Sequence, residues 1–116
     1  MAHKFFTSLA LIFFSVCISA QNVNNIAGKY FNEERKDTII IYKAMDGLYY
    51  GKNPSGEVIL QKLIYNAASK KYNGTLTPPG KDFSMKAVLS MESPNKLQMD
   101  VTMFLITRTN HLTRIQ

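Results

Sequence analysis

His111 is the one histidine beyond the first 20 residues, and the single cysteine, Cys17, lies within them. A zinc site needs several nitrogen or sulfur ligands at suitable spacings, and no second ligand of this kind accompanies His111. His111 also lies in a polar, Thr-rich segment, where a surface imidazole is the ordinary explanation. We therefore predict no metal site, no cofactor and no functional role for His111.

Nucleophilic or acid–base catalysis also finds little support in the sequence. A serine or threonine nucleophile would need His111 as its base, and no Gly-x-Ser-x-Gly turn presents one. Asp100 interrupts a strand pattern, but the alternation turns it to the outer face, and the other aspartates fall at predicted turns or strand starts, where Asp is common. An enzyme would require carboxylates, or Arg108 and Arg114, to converge in a cavity. We predict a protein that is not an enzyme.

The first 20 residues have the pattern of a secretory signal peptide. A basic N-terminus precedes an apolar segment, residues 9–18, followed by the small residues Ser19 and Ala20. This pattern predicts cleavage after Ala20 and export to the periplasm or the extracellular space. A lipoprotein signal is disfavoured because Val16, which is not a small residue, precedes Cys17. A retained anchor is disfavoured because the apolar segment is shorter than the ~20 residues of a membrane span.

Residues 21–116 are predicted to form a single domain without cysteine. This segment carries 13 Lys and Arg against 8 Asp and Glu, a net charge of +5, because only Lys4 of the 14 basic residues precedes it. The lysines are spread one or two per predicted strand or turn and form no dedicated basic patch. We expect a solvated surface with lysines protecting strand edges, and no nucleic-acid partner.

Alternation with a period of two predicts a hairpin over residues 83–103, in which Phe83 begins the inner face of the first strand. The turn is predicted within ESPNK, residues 92–96, which contains Pro and Asn. The apolar faces of both strands coincide if the residues pair as Met91 with Leu97, Leu89 with Met99, Ala87 with Val101, and Met85 with Met103.

Further strands are predicted over residues 26–32, 37–43, 48–52, 58–65, 72–77 and 107–115. The segment VILQKLIY, residues 58–65, also fits one face of a helix, but its shortness and β-branched content favour a strand. Pro78, Pro79 and Gly80 interrupt the alternation. Since proline lacks an N–H for a central ladder, residues 78–82 are predicted to be the loop of a hairpin.

About eight strands with short connections, and no convincing long helix, predict an all-β fold with antiparallel neighbours. Such a sheet, in so short a chain, avoids exposed edges most simply by closing on itself. We therefore predict a small up-and-down, lipocalin-like barrel, with a β-sandwich as the alternative.

Four segments also resemble a known family in order: IAGKY at 26–30, GLYYGK at 47–52, YNGTLTPPGKDFSMKAVL at 72–89 and KLQMDVTMFLITRTNHLTRI at 96–115. The family is the bacterial secreted domain of unknown function 2147. The resemblance implies a lipocalin-like barrel and, because the family has no settled activity, no particular chemistry. Tyr30, Tyr72 and Leu112 stand where the family tends to place tryptophan.

The predicted interior is rich in methionine, whose flexible side chain adapts to irregular contents. A barrel of eight strands is just wide enough either to be filled by side chains or to hold one small ligand. We hypothesise that a small apolar or amphipathic ligand binds there. The lining residues predicted are Met85, Ala87, Leu89, Met99, Val101 and Met103, with Tyr50 at the mouth.

A packed barrel that contacts an envelope protein is the alternative function. The loops Asn53–Gly56 and Pro78–Asp82 would then form the contact surface. The tyrosines cannot all face inward, because Tyr49 and Tyr50 are adjacent on a strand and point to opposite sides.

Overall fold

A computed structural model describes residues 25–115, which form eight strands and no helix. The strands are β1 (Gly28–Asn32), β2 (Asp37–Lys43), β3 (Tyr49–Lys52), β4 (Val58–Asn66), β5 (Lys71–Leu76), β6 (Met85–Ser93), β7 (Lys96–Met103) and β8 (Ile106–Ile115). Each strand pairs antiparallel with the next, and β8 pairs with β1 to close the barrel. The predicted all-β up-and-down barrel is confirmed, and the β-sandwich alternative is wrong.

The predicted signal peptide, residues 1–20, lies outside the described residues. Within residues 25–115 there is no helix long and apolar enough to span a membrane.

The β6–β7 hairpin has the predicted register over most of its length. Leu89 lies opposite Met99, and the neighbouring pairs Met91–Leu97 and Ala87–Val101 are formed as well. At the far end the ladder stops at Lys86–Thr102, so the predicted pair of Met85 with Met103 lies beyond it. Phe83 is outside the strand and exposed, because β6 begins only at Met85. The alternation therefore fixes which face is buried but not where the pairing ends.

A bulge in β4 explains why its sequence fits a helix as well as a strand. Lys62 has a left-handed backbone with φ of 52°, and the pairing of β4 shifts between Gln61 and Ile64. The extra residue lets Leu60 and Leu63 both point inward and be almost fully buried, although they are three positions apart. The strand predicted for this segment is confirmed.

Two turns of the barrel share one design. In each, an asparagine side chain accepts hydrogen bonds from the backbone N–H groups two and three residues on, as Asn32 does from Glu34 and Arg35. The backbone N–H of a lysine four residues on then donates to the asparagine carbonyl, as Lys36 does to Asn32. The same contacts recur between Asn66 and Lys70. Both lysines are left-handed, with φ of 60° and 58°.

Glycine at these lysine positions should therefore stabilise the barrel. A left-handed backbone destabilises a non-glycine residue by about 1–2 kcal/mol, and glycine avoids this cost. Glycine also gives the unfolded chain more conformational freedom, which cancels about half of that gain. We expect Lys36→Gly and Lys70→Gly each to raise the free energy of unfolding by about 0.5–1 kcal/mol in urea denaturation. Lys71→Gly, within β5, is the matched control and should lower it. Equal losses in all three variants would contradict this interpretation.

The up-and-down topology sorts the connections into two groups. We call the end with residues 33–36, 53–57, 77–84 and 104–105 the open end, and the end with residues 25–27, 44–48, 67–70 and 94–95 the closed end. The proline-containing loop is a hairpin connection at the open end, as predicted. There Gly80 donates its N–H to the Glu57 carboxylate at 3.2 Å, so one hydrogen bond links this loop to the residue that follows the 53–56 loop.

Arg114 fastens the closed end. Its guanidinium donates to the Ala27 carbonyl at 2.8 Å and lies over the Tyr30 ring, 5.0 Å from the centroid. Gly28 leaves the space for it, because a Cβ there would lie 2.4 Å from the Arg114 guanidinium. Tyr30 is itself fully buried and donates its hydroxyl to the Ile26 carbonyl at 2.9 Å. The ends of β1 and β8 are thus joined by side chains as well as by the ladder.

Tyrosines add to the packing near the closed end. Tyr72 is buried and contacts the rings of Tyr49 and Tyr65, with centroids 5.7 and 4.9 Å away. Burial raises the pKa of Tyr72 to about 12, so its hydroxyl stays neutral throughout the physiological range. These tyrosines serve cross-strand packing within the barrel.

Candidate functional site

A cavity of about 820 Å³ opens to solvent at the open end, between the ends of β5–β8 and the β1–β2 turn. We call it the cup. Its wall is formed by Leu76, Met85, Met99, Val101, Met103, Phe104 and Ile106, and its polar groups belong to Glu34, Arg35, Arg108, Thr109 and Asn110. The cup is therefore apolar along its wall and polar on one side, which suits a molecule that has both kinds of surface.

Four of the seven residues predicted to line a ligand cavity do line the cup: Met85, Met99, Val101 and Met103. Met99 and Val101 also belong to the buried core, so they form the floor of the cup. Ala87 and Leu89 are fully buried in that core and do not reach the cup. The interior is thus packed below Met99 and open above it.

Tyr50 does not stand at the mouth of the cup. It pairs with Tyr42 on the outer face, where the two rings stack with centroids 6.1 Å apart. Its hydroxyl donates to the Asp46 carboxylate at 2.6 Å in the turn at the closed end. This hydrogen bond raises the pKa of Tyr50 and lowers the pKa of Asp46. Tyr49, one residue earlier, is the tyrosine that faces inward and packs against the core.

β8 contributes lining residues that were not predicted from its polar, Thr-rich sequence. Arg108 pairs with Val101 and Asn110 pairs with Met99, so their side chains share the inward face with those apolar partners. Asn110 is only 8% exposed, whereas Arg108 lies at the mouth. The alternation of β8 could have identified them, because residues 106, 108, 110 and 112 lie opposite the inward-facing residues of β7.

Arg108 is the cation of the cup that has no carboxylate partner among residues 25–115. Arg35, the other arginine of the lining, lies 3.6 Å from the Asp37 carboxylate. Glu34, the one carboxylate of the lining, is held by His111. The guanidinium of Arg108 can therefore accept an external anion without displacing an internal one.

His111 joins the β1–β2 turn to the outside of β8. The Glu34 carboxylate accepts the His111 backbone N–H at 2.7 Å and lies 2.6 Å from Nδ1 of the imidazole. The Glu92 carboxylate lies 3.7 Å from Nε2. These contacts raise the pKa of His111, chiefly through the hydrogen bond to Glu34, and the same bond lowers the pKa of Glu34. The imidazole is at the surface, and it anchors one of the polar residues of the cup rim.

This pairing should make the stability depend on pH. Because the pKa of His111 is raised above 6.5 in the folded protein, its contribution is full below 6.5 and is lost as the pH rises through the raised value. The lowered pKa of Glu34 means that its contribution is lost only as the pH falls below 4.5. We expect His111→Gln to reduce the melting temperature more at about pH 5.5 than at about pH 8.5. An equal reduction at both values would show that the charged pair is not what the imidazole contributes.

The other sites that the sequence could offer are not assembled. Arg108 and Arg114 do not converge, since Arg114 is engaged at the closed end. The cavity around Arg114, of about 710 Å³, is more open to solvent than the cup and is lined by Gly28, Lys29, Asn95 and Ile115. Within residues 25–115, no three His, Cys, Asp or Glu side chains come together in a way that could hold a metal ion.

Comparison with known proteins adds no relative: no family model, no curated protein and no solved structure matches this chain.

Proposed function

We propose that this protein is an exported, non-enzymatic barrel that binds one small amphipathic molecule in the cup. The apolar part of the ligand would lie against Met85, Met99 and Met103, and an anionic head would bind Arg108. The observation that carries this proposal is the Arg108 guanidinium, which has no carboxylate partner among residues 25–115 and lies at the mouth of a cavity with an apolar wall. Export, and location in the periplasm or outside the cell, rest on the N-terminal sequence pattern.

The size of the cup suits a single alkyl chain with a small head. Burial contributes about 0.8 kcal/mol per CH₂ group, so about eight buried groups supply ~6 kcal/mol. A charge-assisted contact with an exposed arginine adds up to about 1 kcal/mol. These gains sum to about 7 kcal/mol, which sets about 10 µM as the tightest dissociation constant, and the ligand motion lost at the open mouth weakens binding from that value.

A binding role is favoured over catalysis by the state of the polar groups in the cup. A general acid or base must be within reach of the substrate and able to exchange its proton. The Glu34 carboxylate is held by two hydrogen bonds from His111, whose imidazole lies on the outer side of β8. The neighbouring Asn110 is a neutral hydrogen-bonding group that can orient a ligand, whereas the Thr109 hydroxyl donates to the Asp100 carboxylate at 2.8 Å on the outer face.

The alternative, a packed module that contacts an envelope protein through residues 53–56 and 78–82, has less support. Those loops are joined by one hydrogen bond, from the Gly80 N–H to the Glu57 carboxylate, and none of the large exposed apolar side chains lies in them. The resemblance to the family of domain of unknown function 2147 stays a prediction, and it would place a cavity-bearing barrel in a family without settled activity.

Ligand uptake can be measured with dansyl-undecanoic acid, a fluorescent fatty-acid analogue, added to residues 21–116. Val101→Phe should fill the floor and weaken binding at least tenfold, whereas Thr102→Phe, which places the same ring on the outer face, should not. Arg108→Met should weaken binding of the carboxylate about fivefold, with no effect on the matching alcohol, and Lys86→Met is its control. Uptake that is absent, or equal in the Val101→Phe and Thr102→Phe variants, would refute a ligand site in the cup.

A further inference from the structure

The β7–β8 hairpin ends in four consecutive apolar residues, Met103–Ile106, which we call the tip. Leu105 is 100% exposed, Phe104 88%, Ile106 66% and Met103 39%. Taking about 150–250 Å² for each large apolar side chain, the tip exposes roughly 500 Å². The largest contiguous apolar patch on a typical monomer covers about 300–600 Å² and is often functional.

The turn itself gives no reason for these residues. Phe104 has a left-handed backbone with φ of 57°, which glycine and asparagine adopt far more readily than an aromatic residue. Because Leu105 is not left-handed, glycine at position 104 alone would close the same hairpin without strain. The position thus carries a bulky side chain against the preference of the backbone, and that side chain points into solvent beside the cup.

Two basic side chains, Lys86 and Arg108, lie close to the tip. Lys86 lies opposite Thr102, on the outer face next to the tip, and Arg108 lies opposite Val101 on the inner face. Arg108 is three residues from Leu105, or ~10 Å along the strand at about 3.3 Å per residue. An apolar segment at a membrane interface is buried by about 5–10 Å, with basic groups at the level of the lipid headgroups. The spacing in this hairpin matches that geometry.

The shape of the tip favours a bilayer over a protein surface. A stable protein interface buries about 800 Å² on each partner, which exceeds the roughly 500 Å² available here. The tip is also a narrow, convex turn, whereas a protein partner would need a matching groove. Insertion between lipids needs no shape complementarity, and anionic headgroups complement Lys86 and Arg108.

We propose that the tip inserts into an anionic lipid bilayer and places the mouth of the cup at the membrane surface. The bilayer is then the source of the ligand: the cup takes a single-chain anionic amphiphile from it. This second step rests on the proposed function. Phe104 and Ile106 belong both to the tip and to the wall of the cup, so they form a continuous apolar path between the lipid and the cavity.

Co-sedimentation of residues 21–116 with vesicles tests the docking. We expect binding to vesicles of equal phosphatidylglycerol and phosphatidylcholine, and weaker binding to phosphatidylcholine alone. Leu105→Gln, which lies outside the cup lining, should reduce the bound fraction at least fivefold. Phe104→Gly with Leu105→Asn should reduce it further while keeping a favourable hairpin turn. Met45→Gln, which removes a fully exposed apolar side chain at the closed end, is the control and should bind as the parent protein does.

The outcomes separate docking from ligand binding. No binding of the parent protein to the anionic vesicles, or equal binding by the Leu105→Gln variant, would overturn the docking. Self-association of the parent protein that this variant loses, measured by sedimentation velocity without vesicles, would also overturn it and assign the tip to a second copy of the chain. The Leu105→Gln variant should still bind dispersed dansyl-undecanoic acid. If neither protein binds the dispersed probe while vesicle binding depends on the tip, the proposed ligand function fails and the docking stands.

Discussion

The short pairing between the first and last strands determines the shape of the molecule. β1 has five residues and pairs with β8 only from Leu112 to Ile115, although β8 begins at Ile106. Within the described part of the chain, the earlier half of β8 therefore has β7 as its only strand neighbour. The barrel is closed where β1 pairs with the last residues of β8. It is open where the first residues of β8 extend past the end of β1. The cup, its polar side and the exposed tip all lie on this overhang.

Closure and packing support each other at the opposite end. The ladder between β1 and β8 is reinforced by Arg114, whose guanidinium binds the Ala27 carbonyl and covers the Tyr30 ring. The core then fills the barrel as far as Met99 and Val101. Without cysteine in residues 21–116, this packing and the ladders must provide the stability of the fold.

Much of the fold was predictable because side-chain alternation reports directly which face of a strand is buried. The register of β6 with β7 follows from that pattern together with the turn formers Pro94 and Asn95 between the two strands. The bulge at Lys62 hides the same pattern in β4, since the two inward leucines are three residues apart. The site was less predictable, because its depth depends on strand lengths and on where each ladder ends. Ala87 and Met99 follow the same alternation, yet only Met99 reaches the cup. Arg108 was overlooked as a lining residue because its role depends on the strand opposite it.

The central claim is that the interior is packed below Met99 and open to a ligand above it. Methionine methyl groups can test this directly, because residues 21–116 contain five of them: Met45, Met85, Met91, Met99 and Met103. We would label these methyl groups with ¹³C and follow their NMR signals while adding dodecanoate. Shifts at Met85, Met99 and Met103, with Met45 and Met91 unchanged, are the result we expect. Unchanged signals at all five, or shifts confined to Met45 and Met91, would contradict a ligand cavity at the open end.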